Sequence, residues 1–225
     1  MLLNKSVFEM LLKNNFLINK ILLIVLIPIA PIYWILIFLR NYLYDHSIKK
    51  AKALSVPVIS IGNLTLGGTG KTPITIFIAQ HFKSKGKKVG ILSRGYKRKS
   101  KGTKLVTDGA KILNNYNYIG DEPYLMAKKT ENIPIVVDKN RFRGGEYLIK
   151  RFNLDLIILD DGYQHRSLKR DLDILLINCI DKKSNYKLFP FGNLREPMEG
   201  LVRANIIIKT KSNLSSDNRN LLDKA

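Results

Sequence analysis

With 225 residues, 45% of them hydrophobic, the chain is long and apolar enough for one sizeable α/β domain plus an appendage. The single cysteine, Cys179, excludes an intrachain disulfide, and no Cys/His cluster has the spacing of a zinc site. A formal charge of +20 fits solvated lysines, attraction to anionic lipid head groups or nucleic-acid binding; a denser patch falls at Lys97, Arg98, Lys99 and Lys101, but no aromatic-plus-basic module accompanies it, so no nucleic-acid partner is expected.

The N-terminal region is the most apolar part of the chain. Met1 to Phe16 carries Leu2, Leu3, Val7, Phe8, Leu11 and Leu12 with Lys5 and Lys13, a pattern like that of an interfacial amphipathic helix. From Ile21 to Leu39 run 19 uncharged residues, bracketed by Lys20 and Arg40 and near the length that crosses a hydrocarbon core. Pro28 and Pro31 predict a kink or break. Tyr33 and Trp34 suit the head-group level. No small-x-small site follows Leu39, which argues against a cleaved signal peptide. Residues 1–45 are therefore expected to form a membrane-associated segment, spanning or monotopic, with a buried core helix as the alternative. The basic flanks on both sides leave orientation open.

The compact apolar run Pro57–Ile61 is followed by Gly62-Asn63-Leu64-Thr65-Leu66-Gly67-Gly68-Thr69-Gly70-Lys71-Thr72-Pro73, then by the apolar periodic segment Ile74 to Phe82. Strand, glycine loop and helix in that order turn backbone N–H groups and a helix N-terminus toward one point, which favours a bound phosphate. Thr65, Leu66, Gly67, Gly68, Thr69, Gly70, Lys71 and Thr72 are the candidate nucleotide-binding residues, with Lys71 reaching the β- and γ-phosphates and the Thr72 hydroxyl on Mg²⁺. Thr65 stands where the strict pattern has Gly. Because ATP is cytosolic, this loop places the domain on the cytoplasmic side. A glycine-rich turn with a chance Gly-Lys-Thr is the bland alternative.

Further apolar runs at Val89–Leu92, Ile133–Val137, Leu156–Leu159, Ile174–Ile177 and Ile206–Ile208 alternate with helical stretches at Glu122–Lys129 and Gly144–Phe152. Continuous apolar strands separated by helices predict a mostly parallel sheet with helices on both faces, of the P-loop NTPase type. Ligands in such sheets sit at the carboxyl ends of the strands. Asp160 and Asp161, ending the Leu156–Leu159 run, have the arrangement that holds Mg²⁺ directly or through water, or serve as turn acids. Arg94 follows another strand and faces phosphate or solvent. Asp121 opens a helix as its N-cap or serves as a general base, with Pro123 in the first turn. Arg195 and Glu196, in a loop before the last strand, suit the γ-phosphate and the magnesium shell. His165 is a nearby site residue or a surface loop histidine.

The ordered set Ser60-Ile61-Gly62-Asn63 through Gly70-Lys71-Thr72-Pro73, Leu92-Ser93-Arg94-Gly95-Tyr96, Gly120-Asp121-Glu122-Pro123, Leu159-Asp160-Asp161-Gly162-Tyr163-Gln164-His165, Arg170-Asp171-Leu172 and Asn193-Leu194-Arg195-Glu196-Pro197 resembles the tetraacyldisaccharide 4'-kinases, the lipid A 4'-kinases of Gram-negative bacteria. The resemblance extends from the apolar N-terminal region to about residue 210. It implies transfer of the γ-phosphate of ATP, with Mg²⁺, to the 4'-hydroxyl of tetraacyldisaccharide 1-phosphate, giving lipid IVA at the cytoplasmic face of the bacterial inner membrane. It also implies roles: Lys71 and Thr72 as phosphate-loop lysine and Mg²⁺-ligating hydroxyl, Asp161 and Glu196 with the metal and Asp160 in support. Arg195 becomes a γ-phosphate contact and Asp121 the catalytic carboxylate. Three parts are expected: the membrane-associated segment 1–45, a P-loop kinase domain 46–210 and a polar tail 211–225.

Members of that family continue past 225 residues into a second, smaller α/β domain with an Asp-His-His-type motif. The histidines here are His46, His81 and His165, none in such a motif, so the sequence reads as a fragment or a truncated product lacking that domain. A membrane-bound P-loop ATPase or GTPase switch, and a catalytically dead nucleotide-binding protein, are the rival readings. A basic nucleic-acid-binding ATPase is a weaker third.

Overall fold

The computed structural model describes residues 16–181 and 186–214. The expected interfacial pattern before Phe16 and most of the polar tail lie outside the described residues. The first element is α1 (Phe16–Asp45), which stays helical through Pro28 and Pro31, so neither proline ends the helix as a break would require. Ala30 and Ile37 are buried, whereas Ile32, Ile35, Leu36, Phe38, Leu39 and Tyr42 are exposed. The outward face of α1 is therefore apolar. Among the described residues no helix is long and apolar enough to cross a membrane.

The rest is a three-layer α/β unit. Strands β1 (Val58–Gly62), β2 (Val89–Ser93), β3 (Lys104–Thr107), β4 (Ile135–Val137), β5 (Leu156–Asp160), β6 (Leu172–Asn178) and β7 (Ile206–Thr210) form one sheet in the order β3-β4-β2-β5-β1-β6-β7. All neighbouring pairs are parallel except β3 with β4. Every residue of β1, β2 and β5 is buried, as continuous apolar strands covered on both faces should be.

Helix α2 (Lys71–Ser84) and helix α4 (Asp121–Lys129), which follows the single turn α3 (Tyr116–Ile119), pack on one face. There Ile59, Ile61, Ile91, Ile135 and Ile158 meet Ala79 and Met126. On the other face Val58, Leu92, Val136 and Leu159 meet Leu148 of α5 (Arg141–Phe152). Helix α5 begins three residues before the Gly144 start read from periodicity, because the Asn140 side chain caps it by accepting from the Arg143 N–H. The antiparallel β3 was not anticipated; it is a four-residue edge strand, half-buried at Lys104 and Leu105.

Strand β1 lies between β5 and β6. The chain leaves β1 toward β2 on one side and later passes from β5 to β6 on the other. This reversal opens a crevice at the carboxyl ends of β1 and β5, the position where such sheets bind ligands.

Candidate phosphate-binding and acceptor site

The loop from β1 to α2 is shaped by its glycines and braced by its neighbours. Gly70 sits in the left-handed region (φ 85°) as the N-cap of α2 and brings no capping side chain. The first N–H groups of α2 thus stay open to a ligand. Asn63 is fully buried; its amide donates to Thr65 O at 2.7 Å, and its carbonyl oxygen accepts from Lys71 Nζ at 3.1 Å. Backbone bonds from Leu66 N to Asn193 O and from Arg195 N to Leu64 O tie the loop to the 193–195 turn. Thr210 Oγ1 donates to Thr69 O at 3.0 Å, and Lys211 Nζ to Gly68 O at 3.2 Å. The Thr69 hydroxyl is buried without a partner. An orphaned hydroxyl in a glycine loop fits a ligand oxygen.

Two carboxylates at the end of β5 face this loop in opposite states. Asp160 is buried, accepting from Ser93 Oγ at 2.9 Å and Thr75 Oγ1 at 3.3 Å. Burial, with the charges of Asp161 and Glu122, pushes its carboxyl up to about 6. Asp161, in the left-handed region (φ 48°), accepts from Arg195 Nη1 at 2.9 and 3.0 Å and pairs with Lys71 Nζ at 3.5 Å. Burial would raise its carboxyl, but Arg195 and Lys71 outweigh burial and hold it below the ordinary carboxylate range.

The structure thus brings Lys71, Asp161 and Arg195 into contact, with Asp160 next in the chain and Thr72 next to Lys71. The hydroxyl of Thr72 and the oxygens of Asp160 and Asp161 are hard donors of the kind that suit Mg²⁺. Glu196 stands apart from them. Its fully buried carboxylate accepts from Arg203 Nη2 at 2.8 Å, Gln164 Nε2 at 2.9 Å, Arg40 Nη2 at 3.4 Å and Asn41 Nδ2 at 3.5 Å. Among the described residues no three His, Cys, Asp or Glu side chains form a group that could hold a metal ion. Of the expected set Thr72, Asp160, Asp161 and Glu196, the glutamate is engaged by these four donors in this structure. Arg195, expected on the γ-phosphate, lies against Asp161.

Asp121 is exposed at the first residue of α4, and Gly120 (φ 101°), rather than Asp121, is the N-cap. Beside the two aspartates lies a basic group. Arg141 is buried, donating to Asp138 O at 3.0 Å and Lys139 O at 3.3 Å, with its Nε unpaired. Burial and the charge of Arg94 lower its guanidinium to about 10, against the pull of Asp161 and Asp160. Half-buried His165 is lowered to about 4 by burial and by Arg141, Arg170 and Arg94. Its imidazole is neutral near pH 7, with Nε2 at 3.0 Å from Ser167 Oγ. Sequence reasoning missed Arg141 and Asn63. Arg141 begins the helix four residues after the Ile135–Val137 strand, too far along for the strand-end rule that gave Asp160 to single it out.

A family model described as tetraacyldisaccharide-1-P 4'-kinase matches residues 22–224. A tetraacyldisaccharide 4'-kinase of Aquifex aeolicus is 45% identical over 185 residues, which cover 82% of this chain and 58% of that protein. One of Chlorobium luteolum is 42% identical over 191 residues, 84% of this chain and 54% of the relative. A crystal structure of LpxK from Aquifex aeolicus in complex with ATP is 44% identical and superposes with a TM-score of 0.78, over 84% of this chain and 58% of that one. The chain spans about half the length of the curated relatives it matches.

Proposed function

We propose that this chain, which belongs to the tetraacyldisaccharide-1-P 4'-kinase family, carries the ATP- and Mg²⁺-binding half of a lipid kinase that phosphorylates the 4'-hydroxyl of tetraacyldisaccharide 1-phosphate to lipid IVA. The observation that carries the reading is the contact of Lys71 and Arg195 with Asp161 beside the β1–α2 glycine loop. Family membership supplies the acceptor.

In this reading the loop N–H groups from Leu66 to Thr72 and the Lys71 ammonium hold the β- and γ-phosphates. Thr72, Asp160 and Asp161 would hold Mg²⁺, which when bound neutralises charge on the phosphate oxygens. Lys71 and Arg195 are parked on Asp161, and both are within reach of a γ-phosphate placed at the loop. Phosphoryl transfer needs in-line positioning and charge neutralisation more than covalent chemistry. Asp121 is the proposed base for the sugar hydroxyl; its exposure at the α4 N-terminus leaves it accessible to an acceptor. Neutral His165 is a hydrogen-bonding rather than a charged neighbour. The exposed apolar face of α1 supports attachment of residues 1–45 to the inner membrane, with residues 46–210 as the kinase unit on its cytoplasmic side. ATP-dependent phosphorylation of an acceptor with a free 4'-hydroxyl, and none of its 4'-O-methyl analogue, tests the reading. Equal labelling of both would refute it.

A further inference from the structure

Helix α1 is fastened to the turn that carries Arg195 and Glu196. Tyr33 Oη donates to Arg195 O at 3.0 Å, and Trp34 Nε1 to Phe189 O at 3.1 Å. Two turns further along, Arg40 and Asn41 both reach Glu196. From Glu196 the contacts run on to the phosphate loop. Gln164 Nε2 donates to Glu196 Oε1 and, at 2.8 Å, to Asn63 O, and Asn63 in turn holds Lys71. The neighbouring Arg195 holds Asp161.

We propose that Glu196 is a positioning residue, not a magnesium ligand: it locks α1 to the phosphate loop, so that seating α1 on an apolar surface strengthens the Mg·nucleotide site. The proposal rests on the kinase reading above. A fully buried carboxylate is stable only while its donors stay in place, and two of the four come from α1. The outer face of α1 leaves Ile32, Ile35, Leu36 and Phe38 in solvent, so an apolar surface favours the helix where Arg40 and Asn41 complete the Glu196 cluster. Such coupling is reciprocal: nucleotide must strengthen surface binding by the factor by which the surface strengthens nucleotide binding.

The chain has one tryptophan, Trp34, on α1, and its fluorescence reports seating directly. Mg·ATP affinity is measured with and without dodecyl maltoside micelles, and micelle affinity from Trp34 emission with and without Mg·ATP. For the wild type both should change by the same factor, about fivefold or more. Glu196→Gln and Arg40→Ala should bring that factor below about twofold, Arg40→Lys should restore part of it, and Glu196→Gln should leave the Mg²⁺ concentration dependence of nucleotide binding unchanged. Arg40 is only part-buried, so its variants test the idea even where Glu196→Gln fails to fold. Mg·ATP binding indifferent to micelles overturns the inference alone, as does full coupling in Arg40→Ala or a weakened Mg²⁺ dependence in Glu196→Gln. A wild-type chain that binds no Mg·ATP overturns the kinase reading, and this inference with it.

Discussion

Replacing Asp160 by Asn should make the metal-free protein more stable at neutral pH. The carboxyl of Asp160 titrates near 6 in the fold, against 3.8 for an unperturbed aspartate. The folded state therefore holds its proton more tightly than the unfolded state does. As pH rises through 6 the ionised, buried carboxylate destabilises the fold, reaching on the order of 3 kcal/mol by pH 7.5. As pH falls toward 3.8 the penalty fades. Asparagine cannot ionise and keeps an oxygen for the Ser93 hydroxyl, which now donates to Asp160 at 2.9 Å. Its amide hydrogens need new acceptors, at a cost of about 1 kcal/mol. The net gain for Asp160→Asn should be about 2 kcal/mol at pH 7.5, shrinking toward zero at pH 4.5. Urea unfolding in EDTA at the two pH values measures it. A variant no more stable than the wild type at pH 7.5, or a gap that is the same at both, would refute the reasoning.

Lys71→Ala removes one of the two cations on Asp161 and should weaken Mg·ATP binding on the order of 100-fold, read by calorimetry, with little loss of stability. His165, lowered to about 4, is neutral in the fold where an ordinary histidine charges. Stability that it contributes is present above pH 6.5 and is lost as pH falls toward 4, so His165→Gln should resist unfolding better than the wild type at pH 5 while showing the same pH–affinity profile for nucleotide between 6.5 and 8. Gly62→Ala places a methyl 2.6 Å from Tyr163 Cβ, with Tyr163 fully buried and its hydroxyl donating to Gly200 O. It should destabilise by about 2–3 kcal/mol in urea; a neutral substitution would show that the β1 terminus relaxes freely.

Much of this was legible in the residues because burial on both faces leaves a simple trace. Val58–Gly62 and Leu156–Asp160 are apolar runs without alternation, and each ends where the site begins. Lys104–Thr107 was not legible: four residues at an edge, pairing antiparallel with β4 around a register shift, carry too short a pattern to separate from loop. At the site, local motifs singled out Lys71 in the glycine loop and Asp160 and Asp161 at a strand end, and Arg195 in the loop before the last strand. Glu196 was read with the metal from its loop before the last strand and from the family resemblance. Its partner Arg40 lies 156 residues away in sequence, and no spacing rule connects the two. Asn63 escaped notice for a related reason: a buried amide that orients a lysine has no pattern beyond its place next to Gly62.

The most direct test of the kinase account is transfer of labelled γ-phosphate from Mg·ATP to tetraacyldisaccharide 1-phosphate in mixed micelles, by this chain beside its Lys71→Ala variant. Label in the lipid that depends on Lys71 is the expected result. Lysine-dependent binding of Mg·ATP with no label in the lipid would contradict the assignment of acceptor phosphorylation to these residues.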